Sequence, residues 1–127
     1  RVSFLGKVSR ERIKDEMQRS NVFILPSRFE SFGVVLIEAI ATACPVIATR
    51  SGGPESIVNE NNGFLVPIEN EEELAEAMER IYLSYENFNP EIIRNEAVEK
   101  YSSEYISEKY RTLIREIINE HSIIGSE

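Results

Sequence analysis

Pro26-Ser27-Arg28-Phe29-Glu30-Ser31-Phe32-Gly33-Val34-Val35-Leu36-Ile37-Glu38-Ala39 is the stretch on which the reading of this 127-residue chain turns. It begins where the apolar run 22–25 stops at a proline, crosses a loop over residues 27–32, and enters a helical pattern from Gly33 or Val34 to Ala43. A buried strand that feeds a glycine-led helix is the place where open α/β sheets take ligands, beyond the carboxyl ends of their strands. Gly33 lets a ligand come close to the backbone. The N–H groups of Gly33, Val34 and Val35 have no partner inside the helix they open, and with its dipole they suit a diphosphate. Glu30 stands just before them, and Glu38 about five residues into the helix, roughly 7.5 Å along its axis. Two carboxylates so placed can serve one ligand without sharing a proton, and they accept well from sugar hydroxyls. Each also has an ordinary reading, as a surface glutamate favoured by the helix dipole. Against that reading, Leu36, Ile37, Ala39 and Ile40 around Glu38 are all apolar. A carboxylate in a largely buried helix is costly without a partner, so Glu38 is expected to have one.

Outward from this stretch, apolar runs and helical patterns alternate. Residues 2–5 read as a strand closed by Gly6, and Ser9 can cap a helix to about Arg19, with Ile13 and Met17 on one face. Residues 22–25, 45–48 and 64–66 read as further strands, and Ser51-Gly52-Gly53-Pro54 as a turn. Strands that are apolar throughout and are spaced by helices indicate a parallel sheet covered on both faces. From residue 70 the chain turns helical. Asn70 with Glu73 forms a capping-box pattern ahead of Leu74, Met78, Ile81, Tyr82 and Tyr85. Asn89-Pro90 opens another helix, and Ser102 or Ser103 a last one striped by Ile106, Tyr110, Leu113, Ile114, Ile117 and Ile118. These stripes read as core or docking faces, and residues 122–127 as a frayed tail.

Composition narrows the classes. Fourteen Lys and Arg against 22 Asp and Glu give a net charge of −8, and no basic cluster interrupts it. A nucleic-acid surface needs such a cluster; a nucleotide ligand does not, because backbone amides can hold phosphates. No apolar run approaches the roughly 18 residues of a membrane span. Cys44 is the single cysteine, read as a buried structural thiol consistent with a reducing compartment, and His121 stands without a second metal ligand. The chain opens on Arg1, directly inside an apolar run, which is read as a truncated N-terminus.

Glu30-x7-Glu38, with Phe32-Gly33 inside it and Ala39 after it, resembles the signature of the family 4 (group 1) retaining glycosyltransferases. The likeness continues in order through Phe4-Leu5-Gly6, Leu25-Pro26-Ser27, Pro45-Val46-Ile47-Ala48, Gly52-Gly53-Pro54-Glu55 and Asn62-Gly63-Phe64-Leu65-Val66. The glutamate spacing alone recurs by chance; six ordered motifs do not. The resemblance covers residues 1 to about 85 and implies the GT-B architecture, in which two Rossmann-like domains face each other across the active site. The fold expected is therefore α/β, a Rossmann-like parallel sheet flanked by helices. Residues 1–85 would form part of the C-terminal donor-binding domain, and 86–127 a helical segment packing on it or on the missing N-terminal domain.

The resemblance also implies roles. Glu30 would contact the donor sugar's hydroxyls and act in catalysis, and Glu38 would hydrogen-bond the ribose. Ser31, Phe32, Gly33, Val34 and Val35 would line the sugar and diphosphate, with Gly6, Lys7 and Val8 bordering the base. The Gly52-Gly53 turn is expected to be structural. Two departures stand out. Ala43 occupies a position where the family often has glycine, and the family's basic pair, which normally precedes residues 2–5, is absent; Arg28 and Lys7 are the nearest cations.

The complete protein would then be a metal-independent retaining hexosyltransferase without a cofactor, its nucleoside-diphosphate sugar being the donor substrate. The acceptor, a glycan, a lipid or a small molecule, would bind mostly to the missing domain. Neither nucleic acid nor a membrane span is expected in this chain. Cytoplasmic residence is expected, with any membrane attachment carried by the missing domain, and the chain alone should be inactive. A non-catalytic nucleotide-sugar-binding module and a GT-B sugar-nucleotide epimerase are the alternatives. A receiver- or flavodoxin-type domain lacks support, because the sequence has no acidic pair at a first strand end and no flavin-phosphate loop.

Overall fold

A computed structural model describes residues 1–124, with side chains through 118. Three strands, β1 (Phe23–Leu25), β2 (Val46–Thr49) and β3 (Gly63–Val66), form a parallel sheet in the order β1-β2-β3. The register sets Phe23, Ile24 and Leu25 against Val46, Ile47 and Ala48, and those in turn against Gly63, Phe64 and Leu65. Among the described residues there are five α-helices, α1 (Arg10–Arg19), α2 (Val34–Ala41), α3 (Glu71–Ser84), α4 (Pro90–Tyr101) and α5 (Ser103–Ile124), the last packed on α4.

Both faces of the sheet are covered, which is why its strands carry apolar side chains on both faces, with Thr49 at the end of β2 the polar exception. Phe23, Leu25, Val46, Ala48 and Leu65 point to one side, into a core with Met17 of α1, Leu36, Ala39 and Ile40 of α2, and Ile93 and Ala97 of α4. Ile24, Ile47, Phe64 and Val66 alternate to the other, where Ala77 and Ile81 of α3 close over them. The expected α/β, Rossmann-like sheet flanked by helices is thus formed.

Local chemistry sets the element ends. Ser9 Oγ accepts from the Arg12 N–H at 3.2 Å and starts α1, and Asn70 Oδ1 accepts from Glu73 at 3.0 Å and starts α3. Asn89 Oδ1 accepts from Glu91 at 2.9 Å, with Pro90 at the first position of α4. β2 begins at Val46 rather than Pro45, which has no N–H to give the ladder, although its carbonyl accepts from Phe23 at 2.8 Å. Gly63 opens β3 because a Cβ there would lie 1.9 Å from the Val46 carbonyl oxygen.

Three expectations are corrected. Residues 2–5 form no strand: Val2 is 79% and Phe4 95% exposed, and a strand needs a neighbouring ladder that β1 does not give them. α2 ends at Ala41 rather than Ala43, because Ala43 takes a left-handed φ of 65°. α5 keeps the backbone helical to Ile124, into the segment read as a tail; residues 125–127, and the side chain of His121, lie outside the described residues.

The segment after residue 85 has two characters. α4 packs on α2 and buries Ile93 and Ala97 in the first core, whereas α5 leaves Tyr110, Leu113, Ile114 and Ile118 half or more exposed. No helix among the described residues is long and apolar enough to cross a membrane.

Candidate functional site

The loop after β1 is held at the carboxyl end of the sheet by contacts from the neighbouring strand. Thr49, buried at the end of β2, donates its hydroxyl to the Ser27 carbonyl. Farther along, Glu30 N–H donates to the Ser51 carbonyl at 3.0 Å, and Gly53 N–H to the Glu30 carbonyl at 2.7 Å. These make a short parallel bridge between Glu30 and Gly52. Glu30 is therefore fixed by its backbone before its side chain does anything.

That side chain turns toward the start of α2. Glu30 Oε1 accepts from the Gly33 N–H at 3.1 Å and the Phe32 N–H at 3.3 Å. Gly33 is the helix N-cap in a left-handed conformation, φ 88° and ψ 44°, which glycine adopts without the clash a Cβ brings. No polar side chain caps α2 at Gly33; the Glu30 carboxylate takes the two N–H groups just ahead of the helix and leaves those of its first turn to other acceptors. An anion is thus already favoured where the free amides of the helix gather. Ser31 and Val34 are exposed, whereas Val35 is partly buried against the core.

Glu38 does not have the setting expected of it. Leu36, Ala39 and Ile40 are buried, but Glu38 lies on the exposed side of the same helix. A helix turns about 100° per residue, so apolar neighbours in sequence do not bury the residue between them. Glu38 opens on a groove of about 520 Å³ between α1, α2 and α4, lined also by Arg10, Lys14, Gln18 and Arg94. Glu38 is thus an exposed carboxylate facing a groove of mixed lining, in which Ile13, Met17 and Ala41 stand beside the charged and polar groups.

Gly6, Lys7 and Val8 precede α1, whose first residue, Arg10, lines that groove. A Cβ at Gly6 would meet nothing within 4 Å, so the loop stands in open space with Gly6 at φ 63°. Arg28, one of the two cations nearest in sequence, is engaged by Glu69 at 2.7 Å, both side chains largely exposed, whereas Arg10, Lys14 and Arg94 line the groove that Glu38 faces. The Cys44 thiol is buried, and desolvation pushes its pKa up to about 11, so it stays protonated and inert.

Sequence reasoning passed over two partners of the loop. Gly53 abuts Phe32 so closely that a Cβ would lie 2.4 Å from the Phe32 Cα. On the other side the Tyr101 ring meets Phe32 edge-on, with centroids 6.4 Å apart. The double glycine signalled a turn but not what the turn abuts. The long separation of Tyr101 from Phe32 gives no sequence signal.

The family described as glycosyl transferases group 1 matches residues 1–100. An uncharacterised glycosyltransferase of Methanocaldococcus jannaschii is 34% identical over 113 residues, covering 86% of this chain and 29% of that protein. Sucrose-phosphate synthase of Thermosynechococcus elongatus superposes with a TM-score of 0.80 at 31% identity, over 94% of this chain and 31% of its own. HepE of Anabaena, solved in complex with UDP and glucose, superposes with a TM-score of 0.78 at 24% identity, over 91% of this chain and 32% of that one. The chain thus spans about a third of the length of these proteins.

Proposed function

The chain belongs to the glycosyl transferases of group 1, and from that membership we propose that it is the donor-binding part of a family 4 retaining hexosyltransferase. In this reading the nucleoside-diphosphate sugar lies across the start of α2. Its phosphates take the N–H groups of Phe32, Gly33 and Val34, its sugar hydroxyls donate to Glu30, and its ribose hydroxyls donate to Glu38. Gly6, Lys7 and Val8 border the base. The observation that carries the proposal is the anion-accepting start of α2, where two backbone N–H groups already converge on one carboxylate oxygen.

Catalysis would be positioning together with electrostatic stabilisation of an oxocarbenium-like sugar and a departing phosphate. Glu30 would orient the sugar, and neither glutamate would form a covalent bond to it. The acceptor and the basic groups that take charge from the leaving phosphate would belong to the rest of the complete protein. Transfer by the isolated chain is therefore expected to be undetectable.

The test is a binding panel of nucleoside diphosphates and their sugars, read by calorimetry on the chain and on the complete protein. UDP is the first probe, since HepE was solved with it. At least one nucleotide sugar should bind, and the complete protein should transfer its sugar only when an acceptor is supplied. Binding of none by either protein would overturn the reading. Turnover of the nucleotide sugar without an acceptor would favour an epimerase.

A further inference from the structure

We propose that Tyr101 is a positioning residue for the loop at the start of α2: its ring holds Phe32, and through Phe32 the N–H groups of residues 32 and 33. The consequence for ligand binding rests on the donor-site reading; the contact itself does not.

Three elements meet at Phe32. Behind it is Gly53, with no space between their backbones. At its N–H is the Glu30 carboxylate. At its ring is Tyr101, centroids 6.4 Å apart and planes at 81°, the edge-to-face arrangement that aromatic rings prefer. Gly53 stops the loop from moving inward, and only Tyr101 among these three meets the Phe32 side chain, which is otherwise half exposed.

Tyr101 is itself well anchored. It packs against the first core beside Ile93 and Ala97, on a helix pressed against α2. Five residues back along α4, Glu96 accepts from the side-chain amides of Asn59, Asn61 and Asn62 and so ties the helix to the turn before β3. Partial burial, and then the charge of Glu96, push the Tyr101 hydroxyl pKa up, so the ring meets Phe32 uncharged near neutral pH. Tyr101 is also the last residue of α4 before Ser102, in extended conformation, turns the chain into α5. The contact therefore joins the loop to the junction with the final helix.

The test compares wild type with Tyr101→Phe, Tyr101→Leu and Phe32→Leu, using the Gly33 amide resonance in ¹H–¹⁵N spectra and UDP affinity. Tyr101→Phe keeps the ring and should leave both readouts at wild-type values. Tyr101→Leu should move the Gly33 resonance and weaken UDP about 3- to 10-fold, the size of one aromatic pair. Phe32→Leu should do the same, and the double variant should lose no more than either single one. Should Tyr101→Leu melt the domain, Phe32→Leu carries the test, because its side chain is half exposed. An unmoved Gly33 resonance with wild-type UDP affinity in the leucine variants, or losses that simply add, would overturn the inference. A moved resonance in a protein whose wild type takes up no UDP would instead leave the contact standing and remove the donor-site reading.

Discussion

Glu30 Oε1 and the Gly33 N–H are hydrogen-bonded at 3.1 Å, so the carboxylate proposed to meet the sugar already engages an amide proposed to meet the diphosphate. A phosphate oxygen and this carboxylate compete for the same donor group. Binding of a nucleotide sugar then requires Glu30 to exchange a backbone partner for hydroxyls of the sugar. That exchange separates the two glutamates in an experiment, because Glu30 should matter for the sugar and not for the nucleotide.

The Gly53 turn should be intolerant of the smallest side chain. A Cβ there would lie 2.4 Å from the Phe32 Cα and 2.5 Å from its carbonyl oxygen, both backbone atoms that cannot rotate away. Gly53→Ala is expected to lose about 1–3 kcal/mol of stability by overpacking. It should also weaken nucleotide-sugar binding by an order of magnitude or more. Urea unfolding and calorimetry on one preparation measure both, and a variant that matches wild type in each would show that the turn has slack.

Ala43 should be improvable. Its N–H donates to the Ile40 carbonyl at 2.8 Å and that of Cys44 to Ala39 at 3.1 Å, closing α2 in the paired pattern that places a left-handed residue after the helix. With φ at 65°, alanine is strained there. Ala43→Gly relieves that strain while adding freedom to the unfolded chain, a net gain of about 0.5–1 kcal/mol. The thermal midpoint should rise by roughly 2–4 °C; a fall would mean that the strain is not felt.

Glu96 should make stability depend on acid pH. Partial burial tends to raise its pKa, but the amides of Asn59 and Asn61, the charge of Lys100 and the amide of Asn62 outweigh it and hold it below the ordinary 4.5. A folded pKa below the unfolded one means that the unfolded chain binds more protons in the acid range. The contribution is thus complete above the unfolded value and disappears as pH falls through the folded one. Glu96→Gln faces three amide donors with one acceptor and an N–H₂ group, and should cost about 1–3 kcal/mol at pH 7. Urea midpoints of wild type and variant should converge in strong acid; a gap that stays constant with pH would contradict this.

The sheet was readable because strands buried on both faces leave an unbroken apolar signature, as at residues 22–25 and 64–66. Caps at Ser9 and Asn70 were readable because each is a local hydrogen bond, and the start of α4 because Pro90 suits the first position of a helix. Residues 2–5 are apolar apart from Ser3 and still form no strand, since pairing depends on a neighbour that periodicity does not specify. The exposure of Glu38 is not legible from its apolar neighbours, because the 3.6-residue turn puts it opposite Leu36 and Ile40. Ala43 departs from the family's glycine in the sequence, but the φ of 65° that favours glycine there is set by the folded backbone. Gly53 and Tyr101 act on Phe32 from 21 and 69 residues away along the chain, a relation that only the folded backbone creates.

The most direct measurement titrates UDP and UDP-glucose into wild type, Glu30→Ala and Glu38→Ala of the complete protein. Loss of the ribose contact should weaken both ligands alike in Glu38→Ala, by about 1.5–3 kcal/mol for a charge-assisted hydrogen bond. Glu30→Ala should weaken UDP-glucose while binding UDP at least as tightly as wild type, because the Phe32 and Gly33 amides are released. A Glu38→Ala protein that binds UDP like wild type, or a Glu30→Ala protein that loses UDP as severely as UDP-glucose, would contradict the assignment of the two glutamates to ribose and sugar.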